Sequence, residues 1–136
     1  MTNIKPIPKK AAVRPLATLF QALGQPTRLK ILLAIGRGEA CVCHLESVLK
    51  VRQATISQHL MTLREVGLVD SRRDGRNIFY RLADPALLDL LEDAADLAGL
   101  APADLPVGPA EGVHLAACIC PTCEAARETV PTPLKE

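Results

Sequence analysis

The sequence predicts a mainly α-helical fold with one small β-hairpin, and three observations carry that expectation. Of the 136 residues, 49% are hydrophobic, yet the aromatics are only Phe20, Phe79 and Tyr80, so the core must be built from Leu, Ile, Val and Ala. Side chains of that kind favour packed helices. Apolar residues recur at helical spacing over most of the chain. From Leu68 to Leu82 the pattern changes to two strand-like runs around an Asp74-Gly75 turn. Length favours a single domain with tails.

Residues 1–12 hold Pro6, Pro8, Lys5, Lys9 and Lys10 without apolar periodicity and read as a flexible basic arm. Leu16, Leu19, Phe20 and Leu23 then mark a first helix that stops at Gly24. Pro26 suits a first helical position, and Leu29, Ile31, Leu32, Leu33 and Ile35 predict a largely buried second helix ending at Gly36 and Gly38. A short helix is expected over Cys43–Leu49 and a longer one from about Gln53 to Val66. After the hairpin, Asp84-Pro85 is a capped helix start, and Leu87, Leu88, Leu90, Leu91, Ala94, Ala95, Leu97 and Ala98 give the last helix a wide apolar face up to Gly99. A face that broad in a chain this small points to a homodimer, the other reading being a helix buried within one chain. Pro102, Pro106, Gly108, Pro109 and Gly112 mark a linker, so residues 13–100 form the domain and 101–136 a Pro/Gly-rich linker and cysteine-containing tail.

Net charge is only +1, which by itself argues nothing about nucleic acid. Its distribution says more. Arg52, Arg64, Arg72, Arg73, Arg76 and Arg81 make the middle basic, whereas Leu82 to Ala126 lacks Lys and Arg and carries Asp84, Asp89, Glu92, Asp93, Asp96, Asp104, Glu111 and Glu124. Either the two are ordinary solvated surfaces, or one face meets phosphate and the other turns away. The odd cysteine count and the missing leader argue against a secreted disulfide scaffold, and no apolar run is long enough to cross a bilayer. A cytoplasmic chain with reduced thiols and no membrane partner is expected.

Short helix, turn, longer helix and a hairpin carrying arginines is the order of a winged helix-turn-helix. Ala22-Leu23-Gly24, Pro26-Thr27-Arg28-Leu29-Lys30-Ile31-Leu32, Cys41-Val42-Cys43, Ile56-Ser57-Gln58-His59-Leu60, Leu63-Arg64 and Gly67-Leu68-Val69 follow in sequence. In combination, over about residues 14–100, they resemble the ArsR/SmtB family of metal-sensing repressors. The resemblance implies a homodimer that binds double-stranded operator DNA when metal-free and releases it when the ion binds.

Ile56, Leu60 and Leu63 share one side of the longer helix, which at about 100° per residue leaves Ala54 and Gln58 pointing almost opposite to Ile56, flanked by Thr55, Ser57 and Met61. Gln bonds an adenine edge bidentately, and Ser or Thr takes bases or phosphates, so Gln53, Ser57 and Gln58 are the main base-reading candidates, with Thr55 beside them. His59 falls nearer the core side, where a packed, phosphate-touching or base-touching histidine all fit. Arg52 stands where family members often place a capping Ser. Its side chain cannot accept from the helix N–H groups, so the cap is expected to be missing and the guanidinium to meet a phosphate instead. Arg72, Arg73 and Arg76 flank the hairpin turn, where a tip can reach the minor groove or adjacent backbone, or form an ordinary charged hairpin. The scarcity of aromatics leaves no stacking platform for single-stranded RNA.

Clustered cysteines in a reducing compartment point to metal or redox chemistry. The resemblance carries a metal role onto Cys41 and Cys43. On a regular helix they would stand about 200° apart, so a shared ion requires the start of the short helix to be loop-like or distorted. Cys118, Cys120 and Cys123 have the spacing of a metal knuckle or redox dithiol, and the linker lets one or more of them fold back to complete the site within or across protomers. His44 and His114 lie beside the cysteine groups, as ligands or as solvent-facing neighbours. Three thiolates fit arsenite or antimonite, the favoured inducers, and four suit cadmium or lead; no organic cofactor is implied. A thiol redox-sensing repressor is the alternative. A dithiol oxidoreductase is disfavoured, because a thioredoxin-like motif opens a helix in a βαβ setting, so the chain is not expected to be an enzyme.

Overall fold

Leu16, Leu19, Phe20 and Leu23 do form a helix, α1 (Val13–Leu23), which buries only its C-terminal Ala22 and Leu23. The computed structural model describes residues 13–105; the expected arm at 1–12 and the cysteines of the tail lie outside the described residues. Pro26 takes the first position of α2 (Pro26–Ile35), where Gln25 Oε1 accepts the Arg28 backbone N–H at 2.9 Å and so satisfies one of the unpaired donors of the first turn. Ile31, Leu32, Leu33, Ala34 and Ile35 are all buried, which makes α2 the central helix. It stops at Gly36, whose φ of 57° few other residues would tolerate.

Next comes an element the sequence did not announce. Ala40–Cys41 form a two-residue strand, β1, which leads directly into α3 (Val42–Leu49). So short a strand carries no alternation to recognise; pairing with a strand that follows α4 in the chain defines it. Lys50 ends α3 in the left-handed conformation, and α4 spans Gln53–Val66 as expected. Gly67, at φ 86°, closes α4, while the Leu68 N–H reaches back to the Leu63 carbonyl at 2.9 Å, the six-to-one bond of a Schellman motif.

The hairpin follows as β2 (Val69–Asp74) and β3 (Asn77–Leu82), and β1 pairs antiparallel with β3 to give a sheet in the order β1-β3-β2. Asp74 pairs with Asn77, so the two-residue loop is Gly75-Arg76 and not the expected Asp74-Gly75. Glycine at the first loop position with φ 61° suits a turn whose twist matches the flanking strands, and it places Arg76 on the tip itself.

The last helix, α5 (Ala86–Leu97), starts after Asp84 Oδ1 accepts the Ala86 N–H at 2.9 Å. Its wide apolar face divides. Leu87, Leu88, Leu91 and Ala95 are buried within the chain, while Leu97 is 90% exposed and Ala94 and Ala98 face solvent. On α1, Val13, Leu16 and Phe20 are exposed as well. The fully buried side chains Ile31, Leu32, Leu45, Ile56, Leu60, Leu63, Val69 and Leu88 show where α2, α3, α4, the root of the hairpin and α5 converge. Each such burial contributes about 1.5–3 kcal/mol, so this shared core sets the angle at which α4 and the hairpin are presented. Among the described residues no helix is long and apolar enough to cross a membrane.

Candidate nucleic-acid interface and thiol site

The two faces of α4 separate as its periodicity demands. Ile56, Leu60 and Leu63 have no exposure, and Gln53, Ala54, Ser57, Gln58 and Met61 form the open side. Thr55 is half-buried at its edge. The side chains of Gln53, Ser57 and Gln58 make no hydrogen bond with other described residues, so their donors and acceptors face outward. Arg52 precedes the helix with no side-chain capping bond, as expected from a residue that has only donors. The first-turn N–H groups of α4 and the adjacent guanidinium are therefore both available to an anion.

His59 is placed more definitely than its position on the helix foretold. Half-buried, it accepts from Arg28 Nε at Nδ1 over 3.3 Å, while Arg28 Nη1 donates to the Ala22 carbonyl at 3.5 Å. Burial and, secondarily, the Arg28 charge hold the His59 pKa below its ordinary value of 6.5. Sequence reasoning placed Arg28 only within a motif and gave it no function of its own. No local signal could have shown it, since the pair lies 31 residues apart.

On the wing, the three arginines part company. Arg73 and Arg76 are exposed and form no ion pair with other described residues. Arg72 instead turns back along the hairpin: its Nη2 stands 3.0 Å from Glu39 Oε2, its Nε donates to the same oxygen at 3.1 Å, and Asp74 Oδ2 lies 3.8 Å from Nη1. The guanidinium also covers the Phe79 ring at 4.9 Å from its centroid. Arg72 thus ties the wing to the segment just before β1.

Cys41 ends β1 opposite Phe79 and is also the N-cap of α3, with extended backbone (φ −86°, ψ 165°). Its Sγ accepts the His44 backbone N–H at 3.3 Å, and its exposure is 3%. Cys43 sits half-buried in the first turn of α3. The first cysteine is therefore outside the regular helix and the second inside it, with the first turn closed by the capping bond. His44, expected to face solvent or act as a ligand, does not face solvent: its exposure is 7%. No group of three or more His, Cys, Asp or Glu that could hold a metal occurs among the described residues. Two thiols are a partial donor set for a soft ion, and Cys118, Cys120, Cys123 and His114 lie outside the described residues.

Comparison with known proteins adds three kinds of finding. The family profile described as "Bacterial regulatory protein, arsR family" matches residues 25–71, from the N-cap of α2 into β2. Over 81 residues the chain is 42% identical to the transcriptional repressor SmtB homolog of Synechocystis sp., covering 60% of this chain and 61% of that protein. It is 35% identical over 79 residues to the cadmium resistance regulatory protein CadC homolog of Staphylococcus aureus (57% and 65% covered). With the arsenic resistance regulator ArsR1 of Pseudomonas putida, identity is 45% over 65 residues (47% and 51% covered). The chain spans less than two thirds of the length of each of these curated relatives. Among solved structures, HlyU from Vibrio cholerae superposes with a TM-score of 0.60 at 31% identity, covering 65% of this chain and 96% of that one. The homodimeric winged helix-turn-helix domain of Mb0332 from Mycobacterium bovis gives 0.62 at 28% identity, with 73% and 91% covered.

Proposed function

This chain belongs to the arsR family of bacterial regulatory proteins, and on that premise we propose that it is a cytoplasmic, homodimeric repressor of operator DNA, released when Cys41 and Cys43 take up a soft metal or metalloid. The observation that carries the reading is the double place of Cys41, which ends β1 and caps α3, the helix that packs on α4. A thiol at that joint couples sulfur chemistry to the element with the outward-facing Gln and Ser.

In the DNA-bound state, Gln53, Ser57 and Gln58 read base edges in the major groove with Thr55 beside them, and Arg52, Arg73, Arg76 and His59 meet the backbone or the minor groove. Arg72 anchors the wing from within. Dimerisation uses the apolar surface left open on α1 (Val13, Leu16, Phe20) and at the end of α5 (Leu97). Two-fold symmetry then presents two α4 helices to successive half-sites.

A bound soft ion supplies metal–sulfur bonds in competition with the capping bond. Cys41 Sγ ceases to accept the His44 N–H, the first turn of α3 loosens, and the two α4 helices lose the spacing that fits the operator. Linkage makes the coupling reciprocal, so operator DNA weakens ion binding by the same factor. One of Cys118, Cys120 and Cys123 completes a three-thiolate site, for which arsenite or antimonite is the preferred inducer; two of them would make a four-thiolate site suited to cadmium or lead.

The test is to titrate operator-bound protein, under reducing conditions, with arsenite, antimonite, cadmium, lead, zinc and peroxide while following DNA release. Release by arsenite or antimonite at the lowest concentration is expected. Release by peroxide with no metal effective would replace this reading with the thiol redox sensor. Ultraviolet thiolate–metal absorption that is unchanged when the tail is removed would strike its three cysteines from the site.

A further inference from the structure

We propose that Arg28 is a positioning residue for DNA recognition: it fixes His59 as the Nε2–H tautomer and so makes that imidazole a dedicated hydrogen-bond donor on the edge of α4. The proposal rests on the DNA-reading assignment of α4 and deepens it.

A guanidinium has donors and no acceptor, so the Nε–H of Arg28 facing His59 Nδ1 at 3.3 Å requires a lone pair on that nitrogen. In the neutral ring the proton must then sit on Nε2. Arg28 holds this geometry from a fixed base. Its backbone N–H is bound by the Gln25 cap, and its Nη1 donates to the Ala22 carbonyl at the end of α1, so α1, α2 and α4 are pinned through one side chain. No other hydrogen-bond partner of the imidazole exists among the described residues. Depression of the His59 pKa by burial and by the Arg28 charge keeps the ring neutral, in keeping with a donor at one end and an acceptor at the other.

Position on the helix indicates what the donor meets. At about 100° per residue, His59 stands within about 20° of Arg52 and about 40° of Thr55 around the axis, whereas Gln58 is about 100° away. Arg52, Thr55 and His59 therefore form one edge of α4, between the buried side that carries Leu63 and the open side that carries Gln58, with Ser57 nearly opposite at about 160°. An edge that begins with an arginine and an uncapped helix N-terminus suits the phosphate track bordering the groove. A phosphate oxygen, which only accepts, is the complement of a ring whose free nitrogen only donates.

Two measurements on the full chain test this. Long-range proton–nitrogen NMR correlation of the free protein is expected to show His59 in the Nε2–H tautomer, whatever its use. In operator titrations, His59→Ala should weaken all sequences alike, by about tenfold, without changing the salt slope, since a neutral donor displaces no counterion; a phosphate-bound cation contributes about 0.9 to that slope. Arg28→Met should cost a similar factor in the wild-type background but little in His59→Ala, with circular dichroism confirming that both variants fold. An Nδ1–H tautomer, a sequence-selective loss from His59→Ala, or an Arg28→Met loss undiminished in the His59→Ala background would each overturn the proposal. If wild type binds no duplex, the DNA reading of α4 fails and takes this proposal with it; that result is distinct from failure of the proposal alone, in which wild type binds but the cycle shows no coupling.

Discussion

The two helices of the helix-turn-helix begin in opposite ways. At the start of α3, a nearly inaccessible thiol accepts a backbone N–H and closes the first turn. At the start of α4, an exposed arginine caps nothing and leaves the first-turn donors open. A helix start held by one side-chain bond can be released by chemistry at that side chain. A helix start left unpaired is completed by an anion from outside. On the proposed function, the contrast divides the molecule into a regulatory joint, made by β1 and α3, and a reading surface, made by α4 and the wing tip.

The sharpest way to break that division is Cys41→Ser. Serine is a good N-cap, so the fold and operator binding should survive, yet the arsenite response should vanish completely in the titration of operator release. Retained release would remove Cys41 from the ligand set. Next in size is Arg52→Asp, for which the two regions demand opposite signs. Aspartate can cap α4, raising unfolding stability by about 1 kcal/mol, while reversing the charge next to phosphate should lower operator affinity by about tenfold or more. Affinity that rose with stability would show that the start of α4 does not face DNA.

A smaller effect assigns Arg72 to one side or the other. Arg76→Ala should reduce the salt slope of operator binding by about 0.9, whereas Arg72→Ala should leave the slope alone and cost at most about 1 kcal/mol of stability, as befits a partly exposed ion pair to Glu39. Equal slope changes would return Arg72 to the reading surface. The least effect expected is in acid. Because His59 has its pKa lowered in the folded chain, the unfolded chain binds its proton more readily; the contribution to stability is complete above about pH 6.5 and is lost as pH falls from there through the lowered folded value. His59→Gln should flatten that part of the stability profile in chemical denaturation, and an unchanged profile would show that the folded chain does not depress the His59 pKa in solution.

What was legible beforehand follows the range of the interactions. The boundaries of α4, Gln53 to Val66, came from an apolar stripe of Ile56, Leu60 and Leu63 and a glycine stop, all within a turn or two of one another. The missing cap at Arg52 was equally readable, because it depends on one side chain's own donors. The hairpin was readable as a hairpin, but its turn lies one residue later, since pairing Asp74 with Asn77 places Gly75 where positive φ is needed. The wide face of α5 could not be divided from periodicity alone, because only packing into the common core decides which leucines are covered within the chain.

The sequence by itself determined the helices, the hairpin, the open side of α4 and the proximity of two thiols to a helix start, because each depends on residues a few positions apart. Only the tertiary structure decided that Cys41 is a strand residue opposite Phe79, that Arg72 binds Glu39 across 33 residues, and that Arg28 reaches His59 across 31. A long arginine side chain has many rotamers and several acceptors within reach. Which one it meets is set by how α2, α4 and the sheet pack around their common core, and no local pattern encodes that choice.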